Sequence, residues 1–323
     1  MESKAPAQLP HDNQRGLAIF AISFGFILPT IAVGLRFLCR WITRSKLYLD
    51  DYLIIIALVF KYGCSAGAIG MLYNGLGRHI WDVPPHKIST YMKVVYSGSF
   101  LYTLCITFIK LSIISFYKRL FPVKQMALAV NVVGAIVILW CFSVCLVGGL
   151  VCIPVNKLWD PTVPGGCLDL PKYYIGLQTP NIVTDAIILV MPIKVVWGLQ
   201  MPKMQRVLLL GIFMVGGLTV IFDAIRLDVM VELSKKGNDV TYAQTPASAW
   251  TCIEAAVGIM AACMPSMRPL LTSFRTNVWS RLYTSRNSST ENSSKRNSEK
   301  DKSGGAESGK GSGSESSETL TSQ

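Results

Sequence analysis

Seven apolar runs, each about 20 residues or longer and nearly free of charge, divide this chain and leave it few ways to fold. At 1.5 Å per residue, a helix of about 20 residues crosses about 30 Å of hydrocarbon. Lipid offers no water to the backbone, so each run must close its own hydrogen bonds as a helix. Spans are expected over residues 16–38, 52–72, 94–117, 126–151, 173–199, 207–230 and 248–271. The fold class is therefore all-α membrane, a seven-transmembrane helix bundle. Composition agrees: 51% of residues are hydrophobic and 15% charged, against about 25% charged in soluble domains.

The formal net charge of +12 does not point to nucleic acid, because the basic residues fall between apolar runs and not on one soluble face. From Thr276 onward seven Lys/Arg meet six Asp/Glu, so nearly all of the excess lies in the membrane part. One set of loops and the segment after the last span hold 14 basic residues, among them Arg36, Arg40, Arg44, Lys46, Lys118, Arg119, Lys194 and Arg268, against 9 on the other side. By the positive-inside rule the N-terminus faces out and the C-terminus the cytosol, in the plasma membrane or an internal one. No cleavable leader is expected, since the first apolar run is too long and leads into a basic cluster. The organisation expected is a short outer segment (1–15), the seven-span domain (16–274) and a Ser-rich cytosolic tail (275–323) too polar to order itself by burial. Both glycosylation sequons, Asn287 and Asn292, lie in that tail and would stay unmodified there.

Most of the nine cysteines sit inside spans as small hydrophobes. Cys152 and Cys167 bracket an outer loop instead, where a disulfide would contribute about 3 kcal/mol in the loop-entropy account; the other reading is two free thiols.

Ionisable groups within spans cost about 2.5 to 3.5 kcal/mol each at mid-bilayer and so are paired or line a cavity. The candidates are Lys61, Lys110, Asp185, Asp223, Arg226 and Glu254. Counted from the span ends, Arg226 and Glu254 share a depth, with Glu254 one to two turns below the outer end. Asp223 lies one turn from Arg226, and Asp185 and Lys61 fall near the midplane. Two readings stand: an outward-opening ligand pocket lined by Asp185, Asp223, Arg226 and Glu254, or a structural salt-bridge network locking spans five to seven. Lys110 and Lys194 are expected to snorkel to the cytosolic face. Asp50 and Asp51 open span two, where acids cap free N–H groups; a signalling role beside Arg40 and Arg44 is the alternative.

No catalytic or metal-binding set emerges. The histidines are His11, His79 and His86, none within a span and none in a His-Glu-x-x-His pattern. Gly63-Cys64-Ser65-Ala66-Gly67 has the spacing of a serine-nucleophile elbow, but inside a span Gly63, Gly67 and Gly70 read as a face for close helix packing. Retinal would need a lysine in the last span for its Schiff base, and residues 248–271 contain none; span three also lacks a carboxylate counter-ion. No cofactor is expected. Trp41, Trp81, Trp159 and Trp197 mark span ends, and Pro29, Pro180, Pro192 and Pro265 mark kinks.

An ordered set of short pieces carries a family likeness: Arg36, Arg40 and Asp50-Asp51-Tyr52; Gly75-Leu76-Gly77-Arg78-His79; Lys110 to Tyr117 with Arg119-Leu120-Phe121; Cys152, Pro154, Trp159-Asp160 and Cys167; Asn181, Asp185 and Pro192; Arg226, Trp250, Glu254, Cys263-Met264-Pro265 and Arg268-Pro269. Over residues 16–274 the chain resembles the fungal rhodopsin-domain integral membrane family. The likeness implies a rhodopsin-shaped, retinal-free protein, similar to receptor-like proteins of the plant-pathogen type and to membrane proteins of secondary-metabolite clusters such as that for satratoxin. The expected function is receptor-like binding of a small molecule, the alternative being transport or tolerance of a cluster's product. The expected partners are the bilayer, that small molecule and a cytosolic signalling protein.

Overall fold

The structure is a computed structural model that describes residues 13–160, 162–197, 203–236 and 239–267. Seven helices follow one another: α1 Arg15–Ile42, α2 Leu49–Tyr73, α3 Pro85–Leu120, α4 Lys124–Gly149, α5 Leu170–Trp197, α6 Lys203–Lys236 and α7 Val240–Cys263. A short antiparallel pair, β1 Cys152–Ile153 and β2 Gly166–Cys167, lies between α4 and α5. The seven-helix membrane bundle expected from the apolar runs is the fold. Six helices are long and apolar enough to cross a membrane over their described residues. The helix not among these six is α6, which has 34 residues and carries Asp223, Arg226 and Asp228 among its described side chains.

Several helices outrun the expected spans. Helix α3 begins at Pro85, where the fixed φ of proline suits a first helical turn and its missing N–H leaves nothing unbonded. Helix α7 starts eight residues before position 248, because the polar run Thr241-Tyr242-Ala243-Gln244-Thr245 is helical and its threonines are buried. It ends in a 3₁₀ turn, Met264–Met267, around Pro265, while Pro29, Pro180, Pro192 and Pro246 lie inside helices.

Successive helices alternate in direction, so the bundle has an Arg15 end and an Arg36 end. At the Arg15 end the turn Gly75-Leu76-Gly77-Arg78-His79 joins three elements. Gln14 donates its backbone N–H to Gly77 (3.0 Å), Gly77 donates to the carbonyl of Thr241 (3.2 Å), and the Thr241 hydroxyl donates to the carbonyl of Arg78 (2.8 Å). Both glycines need to lack a side chain: φ is +121° at Gly75 and +85° at Gly77. A Cβ would fall 2.6 Å from Val83 at Gly75, and 2.8 Å from the backbone nitrogen of Arg15 at Gly77. His79 stacks between Trp81 and Tyr242 (4.5 and 4.1 Å) and meets Asp239 at 2.5 Å, fastening this turn to the start of α7.

Small residues set the packing, as lipid gives helices no hydrophobic drive to associate. A Cβ at Gly63 would meet Leu101 at 3.3 Å, and one at Gly70 would meet Val94 at 3.7 Å, so this face of α2 lies against α3. One core joins α1, α2, α3 and α7 through Val33, Ile54, Cys105, Ile109 and Ile259; a second joins α3, α4 and α5 through Ile114, Phe116, Val133 and Ile188. Phe20, Ile27, Leu139, Phe142 and Met214 face outward, as lipid-facing residues should. Cys152 and Cys167 form the disulfide, at the first rung of the β pair. In the same loop, the Thr162 hydroxyl and backbone N–H donate to Asp160 and hold its carboxyl below the usual carboxylate range. The tail 275–323 with Asn287 and Asn292, the segment 1–12 with His11, and the side chains of Lys194 and Trp197 lie outside the described residues.

Candidate functional site

A polar layer crosses the middle of the bundle, assembled from α3, α5, α6 and α7. Its centre is Arg226. One nitrogen, Nη1, donates to the Tyr102 hydroxyl (2.6 Å), to Gln178 (3.3 Å) and to Glu254 (3.4 Å), while Nε donates to Thr251 (3.1 Å). The guanidinium also lies 4.0 Å from the centre of the Tyr102 ring, a cation–π contact. The Tyr102 hydroxyl donates to Glu254, which is only 3% exposed.

Deeper toward the Arg36 end, Lys110 forms an ion pair with Asp185 at 2.9 Å. Its ammonium also donates to the carbonyl and side-chain oxygens of Asn181 (2.9 and 2.7 Å) and to Thr184 (2.8 Å), all three donor positions being used. Snorkelling of Lys110 to the cytosolic face is thus incorrect: an acceptor set waiting in the interior is better than the water reached by extension. Asp223 joins the two halves by accepting from Asn181 (3.2 Å) and Gln178 (3.4 Å), and no cation lies within ion-pair distance of it among the described residues. Lys61, also fully buried, stands apart: its ammonium has one long contact to Ser65 (3.5 Å) and rests on Gly25, where a Cβ would fall 3.0 Å away.

The four residues expected to line a pocket, Asp185, Asp223, Arg226 and Glu254, are therefore in one layer, but they do not line one outward space. A cavity of about 380 Å³ lies on the Arg15 side, with Arg226, Tyr102 and Gln178 at its floor and Met92, Tyr96, Val151, Leu158 and Tyr174 among its walls. Asp185, Asp223 and Glu254 instead border a space of about 60 Å³ on the other side, with Ile109, Phe116, Ile188 and Pro265. The depth expected for Glu254 was also too shallow. It lies about four helical turns into α7, because that helix starts at Val240.

Asp50 and Asp51 belong to a second network, at the Arg36 end. Asp51 does cap α2, accepting the backbone N–H of Tyr48 at 3.0 Å. Capping is only part of its role: Arg36 bonds Asp51 (2.8 Å), Asp50 (2.5 Å) and the carbonyl of Ala262 (2.7 Å). Arg119 adds a bond to Asp50 at 2.7 Å and Arg40 one to Asp51 at 3.2 Å, so α1, α2, α3 and α7 are tied at one point.

Charge inspection passed over Tyr102, Gln178, Asn181, Thr184 and Thr251. Their spacing held the signal, since Gln178, Asn181 and Asp185 share one helical face, as do Thr251 and Glu254.

Together these features define a multi-pass membrane protein whose seven helices enclose a polar layer under an apolar-walled chamber. More particularly, the chain belongs to the fungal rhodopsin domain family, whose model matches residues 35–273. Its relatives include a polyenoic acids biosynthesis gene cluster protein of Metarhizium anisopliae, 29% identical over 262 residues, which are 76% of this chain and 70% of the relative. A satratoxin biosynthesis cluster protein of Stachybotrys chartarum is 28% identical over 173 residues, 53% of this chain and 62% of its own. A receptor of Arthrobotrys oligospora is 22% identical over 293 residues, 87% of this chain and 68% of its own. No solved structure matches the chain significantly.

Proposed function

We propose that this is a receptor-like, retinal-free and non-enzymatic membrane protein that binds an amphipathic small molecule in the chamber above Arg226. The chamber itself carries the reading: about 380 Å³ with mainly apolar walls and a few convergent polar groups at one end, the usual make-up of a small-molecule site. An apolar body would lie along Met92, Tyr96, Leu158 and Leu227, and a hydrogen-bonding head would meet Arg226 and Gln178. Arg226 is shared with Tyr102 and Glu254, so a ligand acceptor at its guanidinium would redistribute bonds across α3, α6 and α7. That is how occupancy would reach the Arg36 end and a cytosolic signalling partner. The basic-residue bias supports an outward N-terminus and a cytosolic C-terminus; the disulfide, on the Arg15 side, suits an oxidising compartment.

A second reading, transport or tolerance of a secondary metabolite, is favoured by the names of the relatives from polyenoic acid and satratoxin clusters. The smaller space beneath the same polar layer supports it as well.

A fluorescent polyenoic acid, cis-parinaric acid, tests the chamber. Ser99 lines it, and Ser99→Trp is expected to remove the saturable part of the fluorescence gain, with Arg226→Gln weakening it about tenfold. Saturable binding untouched by both changes would refute the chamber as the site. Deleting the gene and profiling metabolites of cells and medium separates the readings, because only transport or tolerance predicts a shift between the two compartments.

A further inference from the structure

We propose that the groove between the end of α1 and the start of α2 holds the head group of an anionic glycerophospholipid. The groove measures about 760 Å³ and is lined by Phe37, Arg40, Trp41, Ile42, Arg44 and Leu47 with Ser45. It lies at the Arg36 end, where both helices leave the apolar region, so its rim meets the boundary between hydrocarbon and head groups.

Three observations select the ligand. The first is charge. The neighbouring network places Arg36, Arg40 and Arg119 on only Asp50 and Asp51, one positive charge in excess. Arg44 and Lys46 add two more, and both are exposed with no side-chain partner among the described residues. A cationic groove of this kind attracts phosphate, to which guanidinium groups bind through paired N–H donors. The second is the apolar rim. Trp41 is 79% exposed, and Ile42, Leu47 and Leu49 are exposed beside it, a surface for acyl chains that a free phosphate or nucleotide would leave bare. The third is the backbone at Arg44, with φ +48°, a conformation uncommon for a residue with a Cβ, in the tight turn that brings Arg44 to the groove lined by Arg40.

Arg40 gives the site a consequence for the fold. Its Nε and Nη2 bond Asp51 (3.3 and 3.2 Å), and Asp51 bonds Arg36, which holds the carbonyl of Ala262 at the end of α7. A phosphate on Arg40 would be two side chains away from α7, so lipid occupancy would stiffen the point where four helices meet.

The full-length chain in detergent, titrated with phosphatidylserine or phosphatidylcholine of identical acyl chains and observed by native mass spectrometry, tests this. One phosphatidylserine per chain should be retained at least about tenfold more strongly than phosphatidylcholine. The exposed pair Arg44→Gln with Lys46→Gln should weaken that retention about tenfold with an unchanged melting temperature. Trp41→Ala with Leu47→Ala should weaken it too, and inorganic phosphate at the lipid concentration should not displace it. Equal retention of the two lipids, no effect of the charge pair, or displacement by inorganic phosphate would each overturn the proposal. None of these readouts uses the chamber above Arg226, so the test stands whatever that chamber binds.

Discussion

The network at the Arg36 end and the polar layer around Arg226 are both buried and ionic, yet they settle their charge in opposite ways. At the Arg36 end, three guanidiniums surround two carboxylates, and Asp50 and Asp51 each meet more than one of them. The backbone is recruited as well, through Tyr48, Ala262 and the carbonyl of Asp50, which accepts from Ser112 at 2.8 Å. In the mid-bundle layer the carboxylates are in the majority: Asp185, Asp223 and Glu254 face Lys110 and Arg226, and Asp223 meets two amides and the other two carboxyl groups, with no cation in ion-pair range among the described residues. Cavities border the layer on both sides. The clamp adjoins a space too, the groove lined by Arg40, but all four of its carboxylate oxygens are committed. A network of that kind resists rearrangement; one with a surplus acid and room beside it can exchange partners. The first therefore reads as a clamp and the second as a working site.

The clamp predicts the largest effect. Arg36→Ala takes from Asp50 and Asp51 their one fully buried cation and from a helix-terminal carbonyl its donor, and breaking a buried pair of this kind costs about 3 to 5 kcal/mol. Lysine should not rescue it, since one ammonium cannot reproduce three bonds directed by a planar guanidinium. Thiol-dye melting suits the measurement because Cys39, Cys105, Cys252 and Cys263 are buried and react only on unfolding. If Arg36→Ala melts with the parent protein, the clamp is not one and the contrast fails.

The ion pair of Lys110 and Asp185 gives the next effect and sharpens the boundary within the layer. Lys110→Met leaves Asp185 unpaired and should cost about 3 kcal/mol. Combining it with Asp185→Leu should restore more than half of that loss, because an apolar pair carries no desolvation penalty. A double variant no better than the single one would show that the bonds of Lys110 to Asn181 and Thr184, not its charge pair, hold α3 to α5.

How these regions stood in the sequence follows from what a linear pattern can carry. Span number and class were readable, because the length of an apolar run is itself the quantity the bilayer selects. Depth was less readable. The start of α7 is polar by composition, yet Thr241 and Thr245 are buried by bonding inside the bundle, so hydropathy placed the helix start too late and Glu254 too shallow. The fate of Lys110 depended on where Asn181 and Thr184 stand across the bundle, a tertiary fact that counting along α3 cannot supply. Asp50 and Asp51 show the same limit: the capping bond is local and legible, whereas Arg36 and Arg119 reach them from elements 14 and 69 positions away.

The smallest effect on stability is expected at Asp223, and it separates the two networks most cleanly. Its carboxyl accepts from Asn181 and Gln178 and has no cation in ion-pair range among the described residues. Asparagine at this position keeps an oxygen for those donors and removes only the charge. If the layer were a second clamp, Asp223→Asn would loosen it by several kcal/mol, as loss of a paired acid does. On the present view the stability should shift by less than about 1 kcal/mol, in either direction. The binding of cis-parinaric acid should change all the same, because Gln178, freed from a charged partner, also bonds Arg226 at the chamber floor. A large loss of stability with binding intact would reverse the assignment, making the layer structural and leaving the chamber above it to work alone.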